Sequence, residues 1–372
     1  MRAPRVSAVT FRRLTVTNIV LLFAIVVSGA VVRLTNSGLG CADWPNCSAT
    51  QFVSVSTHHA AIEQVNRIFS GLIGIPLGFT VLAAYGLQPK RRNELVRLAW
   101  VLLALFFGEA IVGGISVHVK LAWVSVMSHF LLALLLVSVA LRMHQLAGER
   151  DGPRYPVVTP RAMRLVRIVY VWTIAVVIAG TLVTAAGPHG GDRDAKRLGV
   201  SVSSVARLHG VLVDLLIVLM LATVIVLVRS RAPRVVLSTA SFAVAAMVAQ
   251  GVLGYVQYAK EVPAVLVGFH VFGALLVFAS VQQLVLVTRA PVGELAEVAI
   301  SGRIGVHVPL VTGSYVTGDA RSDHADRAHT SLSAWPTSRG PARASAAPPP
   351  ARPDQGGSKS RIGKTRRGGK AR

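Results

Sequence analysis

The sequence predicts an all-α polytopic membrane protein: eight transmembrane helices in two tandem four-helix bundles, related by a pseudo-twofold axis along the membrane normal. Three observations predict it. Hydrophobic residues make up 52% of the chain and charged residues only 15%, with a mean hydropathy of +0.57, whereas a soluble domain carries about 25% charge. Eight apolar runs follow one another, at 14–32, 68–87, 98–117, 121–141, 168–188, 208–228, 235–259 and 262–288. Each is long enough to cross a hydrocarbon core of roughly 30 Å. Backbone groups in lipid must be satisfied internally, so runs of this length read as helices rather than barrel strands.

The third observation is an internal repeat. Sliding the chain by 141 lays EAIVGGISVHVKLAWVSVMSHFLLALL (109–135) on QGVLGYVQYAKEVPAVLVGFHVFGALL (250–276) without a gap, with seven of 27 positions identical. His129 falls on His270 and Gly113 on Gly254. The first helices of the two halves also correspond, VVSGAVVRLTNSGLG (26–40) with VIAGTLVTAAGPHGG (177–191). Four helices per half is an even number, so both halves keep the same orientation.

Taken in order, the chain divides into an N-terminus (1–13), a first bundle (14–141), a linker (142–167), a second bundle (168–288) and a tail (289–372). The first run exceeds a signal-peptide core and no clean small-residue cleavage site follows it, so it reads as a retained helix. Lys and Arg number 17 in the N-terminus, the loop 88–97, the linker and RSRAPR (229–234), more than twice the number in the alternate loops. The positive-inside rule then puts both termini in the cytoplasm. The tail is rich in Ala, Pro, Ser, Gly and Arg, too polar to offset its ordering entropy, and reads as disordered. Its charge contributes to the formal +23 but points to no nucleic-acid partner; a solvated tail explains it.

The orientation places RLTNSGLGCADWPNC (33–47) outside, where disulfides persist. It holds the only two cysteines, Cys41 and Cys47. Their spacing is compatible with a bridge, two idle thiols being the alternative. Ionisable residues within spans are costly and face the bundle interior by default. His209, early in the sixth run, and His270, two turns into the eighth, fall at matching depth in one bundle. Two imidazoles at one level suit the two axial positions of a haem iron; two satisfied core histidines are the bland alternative.

In the first half His129 matches His270, but Asn66 stands where His209 would require a histidine. Asn is a poor iron ligand, so a haem there has one strong axial ligand and an open side facing Glu63, three residues before Asn66 and on the same helical face. The competing reading of Glu63 is a carboxylate favoured near a helix N-terminus. Glu109 matches Gln250, and either serves as a polar contact between helices. Asp214 lies off the face of His209. His58 and His59 fall just before the second helix, and His118 in the second outer loop. No phosphate-binding glycine loop, Ser-His-Asp order or zinc spacing occurs.

With these residues in hand, the chain resembles the haem A synthase (CtaA) family of bacterial and mitochondrial membranes over about 14–288. The resemblance rests on VVRLTNSGLGCADWPNC, IEQVNR (62–67), GGISV (113–117), the His of MSHFLL, GTLVTAAGPHGGD (180–192), and the histidines of RLHG and GFHVFGALL. It implies an oxidoreductase that converts the C8 methyl of haem O to a formyl group, giving haem A for cytochrome oxidase. It implies a haem b cofactor held by His209 and His270, substrate haem on His129, an essential Glu63, and a disulfide between Cys41 and Cys47. Haem O synthase, cytochrome oxidase assembly factors and a second copy of the chain are compatible partners, with a membrane electron acceptor left unidentified. The chain departs from the family pattern at two places: Asn66 replaces the His of E-x-x-H-R, and Glu109 stands where Gln is expected. A non-enzymatic di-haem electron carrier would want strong axial pairs in both halves, which Asn66 disfavours. A transporter would want broken helices and a polar cavity at the midplane, whereas the polar residues here cluster toward the outer side.

Overall fold

A computed structural model of the chain describes residues 5–89 and 92–292, with the backbone of 308–309 and 315–316. Among the described residues it has eight helices long and apolar enough to cross a membrane. They are α1 (Ala8–Leu34), α2 (His58–Gly86), α3 (Asn93–His118), α4 (Trp123–Gly148), α5 (Pro160–Ala186), α6 (Val202–Arg229), α7 (Arg234–Ala259) and α8 (Ala264–Val287). The protein is thus an all-helical, multi-pass membrane protein.

Most helices run several residues past the apolar runs, because polar caps continue the hydrogen-bond ladder beyond the lipid-matched core. Ser7, Thr57, Thr159 and Ser201 each accept from the backbone N–H three residues on, at 3.1–3.3 Å, satisfying donors that a helix start leaves orphaned. α2 begins ten residues before the expected start at 68, so His58 and His59 lie in its first turn rather than before it. Pro76 lies inside α2; one turn on, Thr80 Oγ1 donates to Pro76 O and accepts from Asn18 Nδ2, which ties this part of α2 to α1.

α1 packs beside α2 and α4, and α3 beside α2 and α4; in the second half α5 packs beside α6 and α8, and α7 beside α6 and α8. α8 also meets α1 and α4. One core gathers Phe11, Leu22, Leu77, Leu102 and Met143, and a second gathers Val166, Met220, Leu227, Val236 and Leu284. Large apolar side chains such as Leu72, Phe79, Val218 and Phe269 stay exposed, which lipid rather than water makes favourable. Between the helix sets, Gln282 Nε2 donates to Ser138 O and Gln283 Nε2 to Gln145 Oε1, both at 2.7 Å.

The repeat is visible in the backbone. The α3–α4 turn closes with two residues of positive φ, Lys120 (52°) and Leu121 (55°), and the α7–α8 turn with Glu261 (61°) and Val262 (62°). These pairs are 141 residues apart. In both turns the second N–H reaches back five residues, from Leu121 to Ser116 O and from Val262 to Gln257 O.

The linker is shorter than expected, because α4 continues to Gly148 and α5 starts at Pro160. Within it β1 (Arg154–Pro156) pairs antiparallel with β2 (Arg289–Pro291), so the first residues assigned to the tail are paired backbone. β3 (Val308–Pro309) and β4 (Tyr315–Val316) also pair antiparallel. The rest of the expected disordered tail, 293–307, 310–314 and 317–372, lies outside the described residues.

Candidate functional site

Glu63 sits one and a half turns into α2 and is 5% exposed. Its Oε2 accepts from Cys41 N at 2.7 Å. Its Oε1 accepts from Arg67 Nη2 at 2.6 Å and Nε at 3.1 Å, an i,i+4 pair on one helix face. Arg67 reaches on into the loop, donating from Nη1 to Asp43 O at 2.8 Å and Asn46 O at 3.1 Å. Cys41 and Cys47 form a disulfide, with Cα atoms 4.3 Å apart and both residues buried against Ala60. A carboxylate and a guanidinium from α2 therefore clamp a covalently closed loop onto the helix. The loop's Trp44 lies on Gly114 of α3, where a Cβ would come within 2.6 Å of the indole. Gly40 is required in the same way: a Cβ there would collide with the backbone of His59.

The three interior histidines share a setting. His129 on α4 lies against Gly113 of α3, His209 on α6 against Gly180 of α5, and His270 on α8 against Gly254 of α7. A Cβ at those glycines would stand 3.4, 3.1 and 3.2 Å from the respective ring Cε1 atoms, so each imidazole lies directly against its glycine, most tightly at Gly180 and Gly254. His209 Nδ1 is 3.1 Å from Val176 O, which fixes its tautomer and leaves Nε2 for a ligand bond, a common arrangement for metal-binding imidazoles. His209 and His270 stand on opposite helices of their set, α6 and α8.

The fourth equivalent pair differs. Gly29 of α1 corresponds to Gly180, and Asn66 of α2 to His209. A Cβ at Gly29 would meet nothing within 4 Å, and Asn66 Oδ1 accepts a hydrogen bond from Ser28. Glu109 Oε2 lies 2.6 Å from His129 Nδ1, in contact but not in a well-aligned hydrogen bond, and Oε1 is buried without a partner. The equivalent Gln250 donates instead to the backbone O of His270 at 2.7 Å. The two halves thus bring together a similar glycine–histidine scaffold with different polar partners. Asp214 is placed apart from it, accepting from Tyr255 at 3.2 Å on an exposed face.

Sequence reasoning missed Arg67, the contact made by Trp44 and the packing of the glycines against the rings. Arg67 was readable, standing four residues after Glu63. Trp44 and Gly114 were not, because nothing in either segment marks their contact across 70 positions of chain. Outside the spans, partial burial lowers the pKa of Arg197; its guanidinium donates to Gly187 O and Pro188 O at 2.7 and 2.6 Å, bracing the α5–α6 loop. Next to it Arg33 Nη1 donates to His189 O at 3.0 Å, and Gly38 N to Gly191 O at 2.8 Å, which joins the α1–α2 loop to the α5–α6 loop.

Fold and site define a multi-pass helical membrane protein with interior histidines in repeated glycine settings. The COX15-CtaA family model, described as a cytochrome oxidase assembly protein, matches residues 12–61. Heme A synthase of Shewanella oneidensis is 27% identical over 143 residues, covering 34% of this chain and 42% of the relative. Heme A synthase of Geobacillus kaustophilus is 26% identical over 108 residues, covering 29% and 33%. The chain thus spans less than half the length of the curated relatives it matches. Together the matches support the CtaA family for this chain, at low identity and over part of its length.

Proposed function

We propose that the protein is a haem A synthase: an oxidoreductase that oxidises the C8 methyl group of haem O to a formyl group, supplying haem A for cytochrome oxidase. The observation that carries the reading is the set of glycine-backed imidazoles at repeated positions. The donor set fits a haem: His209 and His270, on opposite helices of the second half, would hold haem b as a cofactor. When bound, that haem would supply one-electron transfer to a membrane acceptor. In the first half His129 would hold the substrate haem O.

Glu63 and Arg67 then act on the reacting edge through the loop. By fixing Cys41, Asp43 and Asn46, they hold the Cys41–Cys47 loop and Trp44 over the outer end of the first helix set. This positions substrate and limits water at the outer end. The two helix sets serve as the two bundles of the reading, with both termini in the bacterial cytoplasm and the clamped loop outside.

A di-haem electron carrier is the competing function, and Asn66 speaks against it. The test is expression in membranes that make haem O but lack a haem A synthase, followed by haem extraction. Haem A or its hydroxylated intermediate supports the enzyme. Unaltered haem O beside a stable b-type spectrum favours the carrier.

A further inference from the structure

We infer that the first half contains a binding site for a small neutral ligand with a lone pair, of diatomic to imidazole size. The site lies between Gly29, Ser28 and Asn66, on the side of the substrate haem opposite His129. The inference rests on the proposed haem binding by His129 and goes beyond it.

Three of the four equivalent glycines are filled by a ring: the distance from a Cβ to the imidazole is 3.1–3.4 Å at Gly113, Gly180 and Gly254. At Gly29 a Cβ meets nothing within 4 Å. The difference traces to one residue, since Asn66 is shorter than the His209 that occupies the equivalent corner. Ser28 donates to Asn66 Oδ1, which draws the amide toward α1. With Oδ1 taken, the remaining polar group of Asn66 is its Nδ2, a donor suited to a ligand lone pair.

The opposite side is built to work alone. Glu109 Oε2 stands 2.6 Å from His129 Nδ1, whereas in the second half the equivalent Gln250 turns to a backbone carbonyl. The carboxylate lies on the Nδ1 side of the ring without an aligned hydrogen bond to it, so Nε2 is the ring nitrogen left to face a ligand. One half thus has an imidazole against each of its two glycines; the other has one imidazole and one open corner.

The probe is carbon monoxide, applied to the dithionite-reduced, haem-loaded, full-length protein and read by difference spectroscopy. The expected result is that the His129-dependent haem binds CO while the His209/His270 haem does not. Asn66→His should cut the CO-reactive fraction at least tenfold and turn that haem low-spin. Gly29→Leu should also block CO while haem content is kept. Imidazole added to the oxidised protein should convert the same haem to low spin, and Gly29→Leu should prevent it. If the His129-dependent haem is present but already six-coordinate and inert to both probes, this inference fails and the proposed function survives. If His129→Ala removes no haem, both fail.

Discussion

Replacing Glu63 by Gln keeps the shape of the side chain and removes its charge. The amide oxygen can still accept from Cys41 N. The amide NH2, however, now faces Arg67, where two guanidinium nitrogens donate at 2.6 and 3.1 Å. Breaking a buried ion pair outright costs about 3–5 kcal/mol. Arg67 keeps the carbonyls of Asp43 and Asn46, so the loss is nearer the value of one charge-assisted hydrogen bond, about 2 kcal/mol. That energy holds the loop to α2, and Cys41 is fully buried. Reduction of the disulfide therefore has to pass through local opening of the loop. At about 1.4 kcal/mol per factor of ten, Glu63→Gln should speed reduction by dithiothreitol about 30-fold. The assay is timed reduction in detergent, acid quench and thiol alkylation. A rate within about twofold of the parent would refute the clamp, and with it the loop-positioning role of Glu63.

Gly114→Ala should also release the loop, because the new Cβ would lie 2.6 Å from the Trp44 indole; a red shift in tryptophan emission and faster disulfide reduction would report it. Gly180→Ala and Gly254→Ala crowd His209 and His270 at 3.1 and 3.2 Å, and should lower the haem b retained on purification, measured by pyridine haemochrome. Gly29→Ala should leave haem content unchanged, since its Cβ enters open space. Replacing both cysteines by serine should destabilise the α1–α2 loop by about 2 kcal/mol on the loop-entropy model, seen as faster protease cleavage within 41–47 while helical circular dichroism is retained.

The spans were legible because lipid imposes one rule on every helix, and an apolar run satisfies it without reference to neighbours. The boundaries were less so. α2 begins in a polar stretch, where Thr57 supplies the cap, and hydropathy does not register a cap. That offset moves His58 and His59 into the helix. The repeat was legible both in residues and in the paired left-handed turns at 120–121 and 261–262. Glu63, Asn66 and the three histidines were found because ionisable and polar groups are rare in such sequence. What each touches was not. The grip of Glu63 on Cys41 and the contact of Glu109 with His129 join separate segments, and no local pattern carries that information. The strand pair 154–156 with 289–291 escaped for the same reason.

On the proposed function the two halves divide the work, with His129 serving the substrate and His209 with His270 serving the cofactor. Haem analysis of His129→Ala and His209→Ala, each expressed in membranes that supply haem O, tests this division. The expected result is that His129→Ala makes no haem A yet keeps its b-type spectrum, and that His209→Ala loses that spectrum. Loss of the b-type spectrum in His129→Ala, with its retention in His209→Ala, would contradict the assignment.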